Sequence, residues 1–124
     1  MRNERNIWVV GGDQRQVRLA ELLLDDGHTV HTWGLERAEG APGPAPDLGE
    51  PVLADCVILP LPVVGEGGRL NAPLAAEAPP IEAVLDALRP GQVVCGGKVG
   101  PGLQAMARER GVRLWDHYDR EEVA

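Results

Sequence analysis

The sequence predicts an α/β domain built on an open parallel sheet of about five strands, in the order 2-1-3-4-5, with helices on both faces. Three observations carry this. Short β-branched runs alternate along the chain with segments of helical period, the pattern of parallel strand–helix units. Glycine or proline punctuates the joints between them. The length, 124 residues, suits a single domain with one real core.

Ile7-Trp8-Val9-Val10 reads as a buried strand bounded by Gly11-Gly12. Gln14 to Asp26 reads as a helix, with Val17, Leu19, Ala20, Leu22, Leu23 and Leu24 supplying a wide apolar stripe and Gly27 in the C′ position. Thr29–Trp33 is the second strand and Cys56–Leu59 the third. Ile81–Leu88 is a helix closed by Arg89-Pro90-Gly91, Gln92–Cys95 a fourth strand, Leu103–Arg110 a helix closed by Gly111, and Val112–Trp115 a fifth strand. The connection from Gly34 to Ala54 carries Pro42, Pro44, Pro46 and Pro51, which argues for a surface loop with at most one helical turn. These elements fit a flavodoxin-like or Rossmann-like arrangement. Asp119 followed by Glu122 reads as the first turn of another helix, so residues 1–118 are expected to form the domain and 119–124 to begin an interdomain helix.

Composition narrows the function. Apolar residues make up 44% and charged residues 25%, a globular balance. Phenylalanine is absent, so Leu, Val, Ile and Ala must fill the core. A net charge of −7 argues against nucleic acid and against an anionic membrane surface. The charged start and the short run Ile7–Val10 do not make a secretory signal, and no stretch reaches the ~20 apolar residues that span a bilayer. Cys56 and Cys95 have no metal or redox spacing. A cytoplasmic protein with reduced thiols is the expectation.

In an open parallel sheet, ligands bind outside the carboxyl ends of the strands. Three segments fall there. The first is Gly11-Gly12-Asp13-Gln14-Arg15-Gln16, which has two readings. As a helix start, Asp13 is the N-cap and Gln16 the N3 partner of a capping box. That leaves Arg15 unexplained, because the helix dipole disfavours a cation in the first turn. As an anion site, a ligand at the helix start reverses that sign. No G-x-G-x-x-G fingerprint is present, since Asp13 and Gln16 occupy the wrong places.

The second segment is Pro60 to Gly68, with Gly65, Glu66 and Gly67 after two prolines. It reads either as a mobile surface loop or as a substrate loop or lid; long irregular loops in compact domains are usually functional or disordered. The third is Gly96-Gly97-Lys98, which holds the single lysine of the chain. Lys98 is either an ordinary solvated turn residue or a contact for a carboxylate or phosphate.

Other residues read as structural. His28 and His31 fall on opposite faces of a strand and make no metal pair. His117 reads as an exposed turn residue, Cys56 and Cys95 as core fillers, and Trp8, Trp33 and Trp115 as packing residues. A phosphoreceiver domain is excluded, because Leu59-Pro60 stands where the acceptor aspartate is needed and Asp55 lies at the strand's start.

Taken together, Val9-Val10-Gly11-Gly12-Asp13-Gln14-Arg15-Gln16, Ile58-Leu59-Pro60, Gly65-Glu66-Gly67, Pro73 and Tyr118-Asp119-Arg120-Glu121-Glu122-Val123-Ala124 resemble the N-terminal domain of the dipicolinate synthase A-subunit family, spore enzymes of endospore-forming bacteria. The resemblance runs over essentially the whole chain. The Pro/Ala/Gly-rich stretch after the second strand and Gly68-Arg69-Leu70-Asn71 depart from it. The resemblance implies a two-domain oxidoreductase that oxidises a cyclic dicarboxylate precursor to dipicolinate, partnered by the flavoprotein-like dipicolinate synthase B subunit. It implies that NADP binds a C-terminal Rossmann domain outside this chain, that this domain holds no cofactor or metal, and that it lines the substrate cleft. Gly12, Asp13, Arg15, Gln16, Pro60, Gly65, Glu66, Gly67 and Lys98 are the candidate substrate-binding residues; the resemblance transfers no catalytic residue. From the residues alone, a free-standing α/β interaction module or an anion- or nucleotide-binding module stays open.

Overall fold

A computed structural model of the chain describes residues 5–41 and 54–116. Five parallel strands form one sheet in the order β2-β1-β3-β4-β5, as the sequence predicts. They are β1 (Asn6–Val10), β2 (Thr29–Trp33), β3 (Cys56–Ile58), β4 (Val93–Gly96) and β5 (Leu114–Asp116). The helices are α1 (Gln14–Asp25), α2 (Ile81–Asp86) and α3 (Pro101–Glu109). Helix α2 ends earlier than its periodicity suggests, and α3 starts earlier because Pro101 sits in its first turn, where its missing N–H costs nothing. Strand β5 begins later than expected, at Leu114. The expected turn near His117, the helix start at 119–124 and the prolines from 42 to 53 lie outside the described residues.

The side chains of β1, β2 and β3 alternate between two cores. Ile7, Val9 and Val30 pack under Val17 and Ala20 of α1. Trp8, Val10, Val57, Val94 and Leu114 pack against Ile81, Val84 and Leu85 of α2 and Leu103 and Ala107 of α3. Helices therefore cover both faces, α1 on one and α2 with α3 on the other. This double burial is why β1 reads as an unbroken apolar run rather than an alternating one.

Buried polar groups are bonded where strands and helices join. Gln92, almost fully buried, donates from Nε2 to the Ala54 carbonyl at 3.0 Å and accepts from the Arg89 N–H at 2.9 Å, pinning the entries of β3 and β4. Gln104 Nε2 donates to the Leu114 carbonyl at 3.0 Å and ties α3 to the edge strand. Arg110 Nε donates to Asp86 at 2.7 Å and joins α3 to α2.

Three packing expectations are revised. Trp8 is buried and stacks on His31, its partner on β2, with ring centroids 4.9 Å apart, but Trp115 is largely exposed on the edge strand. Cys56 and Cys95 are only half-buried. The segment from Pro60 to Pro80 is irregular yet packed: Val63, Leu70, Ala72 and Ala75 are buried, and Val64 bridges Leu70 while Arg69 bridges Pro80. Its only helical piece is a 3-10 turn over Glu66–Gly68. A segment anchored through its own core residues does not behave as a free lid.

Candidate functional site

The strand order reverses between β1 and β3, so the crevice expected of an open α/β sheet opens at their carboxyl ends. The turn after β1 is tight. Gly11 and Gly12 adopt positive φ of 68° and 89°, a region that side chains disfavour. A Cβ on Gly12 would lie 2.2 Å from Gln16 Cγ and 3.2 Å from Pro60 Cβ, so glycine lets α1 and the end of β3 close on each other here. The Gly11 N–H donates to the Trp33 carbonyl at 2.7 Å, and the Gly12 N–H donates to the Asn71 carbonyl at 2.8 Å.

Asp13 caps α1 as expected: its Oδ1 accepts from the Arg15 N–H at 3.0 Å. The capping box is not closed by Gln16. Its Nε2 donates instead to the carbonyls of Val10 and Ile58, both at 3.4 Å, bridging the ends of β1 and β3. The expectation failed because the Gln16 amide is turned toward the carbonyls at the ends of two parallel strands, which folding alone brings within its reach.

Arg15 also differs from its sequence reading. Its guanidinium folds back on the cap, with Nε 3.1 Å from Asp13 Oδ1 and Nη2 3.2 Å from Oδ2, and Nη2 reaches the Leu61 carbonyl at 3.5 Å. The side-chain and backbone hydrogen bonds from Arg15 hold the Asp13 carboxyl below its ordinary value of 3.8. The same pair holds the guanidinium more firmly protonated. The cation unexplained by capping thus has an internal partner. Both members are exposed, 71% and 45%, so the contact is screened and exchangeable.

Beside this pair lies a hollow of about 240 Å³ lined by Gly12, Asp13, Arg15, Gln16, Leu19, Pro60, Leu61 and Asn71. The structure therefore brings together five of the candidates, Gly12, Asp13, Arg15, Gln16 and Pro60. Gly65, Glu66, Gly67 and Lys98 do not line it. Glu66–Gly68 is an exposed turn, and Lys98 is exposed with a φ of 55°. The glycines before Lys98 serve packing: a Cβ on Gly97 would lie 2.2 Å from Leu61 Cδ1, and one on Gly96 would lie 2.5 Å from Val63 Cγ2.

Leu19 and Asn71 escaped the sequence reading, and Leu61, inside the candidate segment Pro60 to Gly68, was not singled out by it. Leu19 belongs to the apolar stripe of α1, and its place on the flank facing Pro60 is tertiary information. Leu61 follows Pro60 but carries no chemistry of its own. Asn71 is the most informative: it receives the Gly12 N–H, donates its own N–H to Val63 at 2.9 Å, and donates from Nδ2 to the Pro62 carbonyl at 2.9 Å. It fastens the glycine turn to the loop after β3. The one available signal was its position in a segment that departs from the family pattern.

The turn does not suit a dinucleotide. The Gly12 N–H, which would face a pyrophosphate, is taken by Asn71, and Gln16 fills the space that a glycine keeps open in nucleotide-binding turns. No cluster of three or more metal-binding side chains occurs among the described residues. Both thiols are poorly suited to nucleophilic work. Burial, helped by the neighbouring Cys95, pushes Cys56 up to about 11, and burial pushes Cys95 up as well.

Fold and site together define a doubly wound α/β domain whose mouth, at the switch point of the sheet, has apolar walls and one arginine. The chain belongs to the family of dipicolinate synthase A-subunit N-terminal domains, which it matches over residues 6–118. Two solved structures are similar to it. One is the A subunit of dipicolinate synthase from Bacillus subtilis, with a TM-score of 0.80 at 21% identity over 99% of this chain and 43% of that one. The other is the A subunit of the Bacillus halodurans enzyme, with a TM-score of 0.79 at 16% identity over 96% of this chain and 42% of that one. The chain thus spans less than half the length of these proteins. No curated protein sequence matches it.

Proposed function

We propose that this chain is the substrate-side domain of a dipicolinate-synthase-like oxidoreductase, and that the hollow between α1 and Pro60–Leu61 takes one carboxylate edge of a cyclic dicarboxylate. The observation that carries the reading is the composition of that hollow. Leu19, Pro60 and Leu61 offer apolar walls to a flat ring, and Arg15 offers a planar two-pronged donor to a carboxylate. The backbone N–H groups of Arg15 and Gln16 are already bonded to Asp13 and that of Gly12 to Asn71, so recognition of the anion falls to the guanidinium. Asp13 parks that guanidinium, and a ligand carboxylate displaces it.

The hollow is smaller than the ~300–1,000 Å³ of ordinary ligand pockets, which suits half of a cleft completed by a second domain. On this reading NADP binds that second domain and supplies hydride chemistry, while this chain binds and orients the substrate and is silent alone. The B subunit, the cytoplasm and spore formation belong to the same reading. No helix among the described residues is long and apolar enough to cross a membrane.

Titration calorimetry with dipicolinate tests the proposal. The wild-type chain should bind, and Arg15→Ala should weaken binding about tenfold, the loss expected when a charge-assisted bidentate contact goes. Equal affinity in the two proteins removes Arg15 from the site.

A further inference from the structure

The hollow beside Arg15 is also lined by Asn71, a side chain whose bonding is half complete. The backbone of Asn71 is spent within the fold: its N–H donates to the Val63 carbonyl, and its carbonyl accepts from the Gly12 N–H. Its amide is not. Nδ2 donates to the Pro62 carbonyl at 2.9 Å, whereas Oδ1 takes no hydrogen bond from any described residue. Nor is Oδ1 sealed in the core, so it stays open to whatever enters. The bond from Nδ2 fixes which end of the amide is left over. Turning the amide over would set two oxygens, Oδ1 and the Pro62 carbonyl, against each other.

The same loop sets Asn71 beside Arg15. Arg15 Nη2 reaches the Leu61 carbonyl at 3.5 Å, and Asn71 Nδ2 holds the next carbonyl, that of Pro62. A cationic donor and a neutral acceptor are thus anchored on consecutive carbonyls of one wall. Gln16 brings a second amide to the hollow, but it is tied to the strand ends by two longer bonds of 3.4 Å. In a cyclic dicarboxylate with the pattern of dipicolinate, each carboxylate sits on a carbon next to the ring heteroatom. A carboxylate on Arg15 therefore brings that heteroatom to the neighbouring acceptor.

Resting on the function proposed above, we propose that Asn71 is a specificity-determining residue of the hollow, its Oδ1 accepting from an N–H or O–H in the ring of the bound dicarboxylate. The hollow then favours a reduced-ring precursor that carries such a hydrogen. Dipicolinate, whose ring nitrogen presents only a lone pair, leaves Oδ1 facing another acceptor and binds more weakly. Substrate and product are told apart by the hydrogen that oxidation removes.

Calorimetry on the full chain tests this with three diacids of one pattern: piperidine dicarboxylate, whose ring nitrogen carries hydrogen; tetrahydropyran dicarboxylate, with a ring oxygen in its place; and dipicolinate. The wild-type chain should bind the piperidine about fivefold more tightly than either of the others, the effect of one hydrogen bond. Asn71→Ala should erase that preference, and Asn71→Asp, which keeps an acceptor, should retain it while its added charge weakens all three. The backbone of Asn71 has no positive φ and its own bonds survive substitution. Should Asn71→Ala nevertheless fail to fold, Asn71→Leu takes its place. A preference that persists without the Asn71 amide assigns the ring donor to Asp13 or Gln16 and overturns the proposal. Equal binding of the three diacids by the wild-type chain overturns it and leaves the reading of the hollow standing, whereas no binding of any of them overturns both. Tighter binding of dipicolinate than of the piperidine also overturns it, because the second N–H of the amide then faces the ligand.

Discussion

Arg15 stands between two carboxylates, the one it holds in Asp13 and the one assigned to a ligand. Asn caps a helix about as well as Asp, so Asp13→Asn keeps the cap and removes the competitor. Dipicolinate should then bind several-fold more tightly by calorimetry, and weaker binding would show that Asp13 helps the ligand rather than competes with it. The pair also has a pH signature. The folded-state value of Asp13 lies below its ordinary 3.8, so its contribution to stability is fully present above that value and is lost as pH falls through the lower folded value. Carbon-detected NMR of the Asp13 carboxyl should show this low midpoint, and Arg15→Ala should return it toward 3.8. The thiols titrate in the opposite direction. With Cys56 pushed up to about 11, its alkylation should be slow at neutral pH and keep rising through pH 10; a plateau below pH 9 would contradict the burial argument.

At the level of elements, the joints matter more than the strands. Gly12 and Gly67 share a positive φ, yet their surroundings differ: a Cβ on Gly67 meets nothing within 4 Å, and one on Gly12 collides with Gln16 and approaches Pro60. Gly67→Ala should therefore cost only the backbone penalty of about 1–2 kcal/mol. Gly12→Ala should cost more, and it should also abolish dipicolinate binding by forcing α1 away from Pro60. Urea melts of the two variants make the comparison. Similar losses would mean that the turn relaxes freely.

The elements themselves were legible because apolar runs such as Cys56-Val57-Ile58 and the leucine stripe of α1 record burial directly in residue type. The joints were legible only in part. Gly11-Gly12-Asp13 announced a tight turn and a cap, since both depend on neighbouring residues. The destinations of Gln16 and Asn71 depend on strand ends and loops brought close only by folding, and neither side chain carries a mark of its partner. The same reason hid the packed character of the Pro60 to Pro80 segment, whose buried Val63 and Leu70 sit among glycines and prolines that read as loop.

For the whole molecule, the acidic balance of −7 means that a dianion is attracted locally or not at all. The chain spans less than half the length of its solved relatives, and in the proposed function its part is to bind substrate. The most direct test is an amide NMR titration of the chain with dipicolinate. Shifts are expected to concentrate at Gly12 to Gln16, Leu61 and Asn71, to saturate with added ligand and to be absent in Arg15→Ala. Shifts centred on another part of the surface, or none at millimolar ligand, would contradict the proposed site.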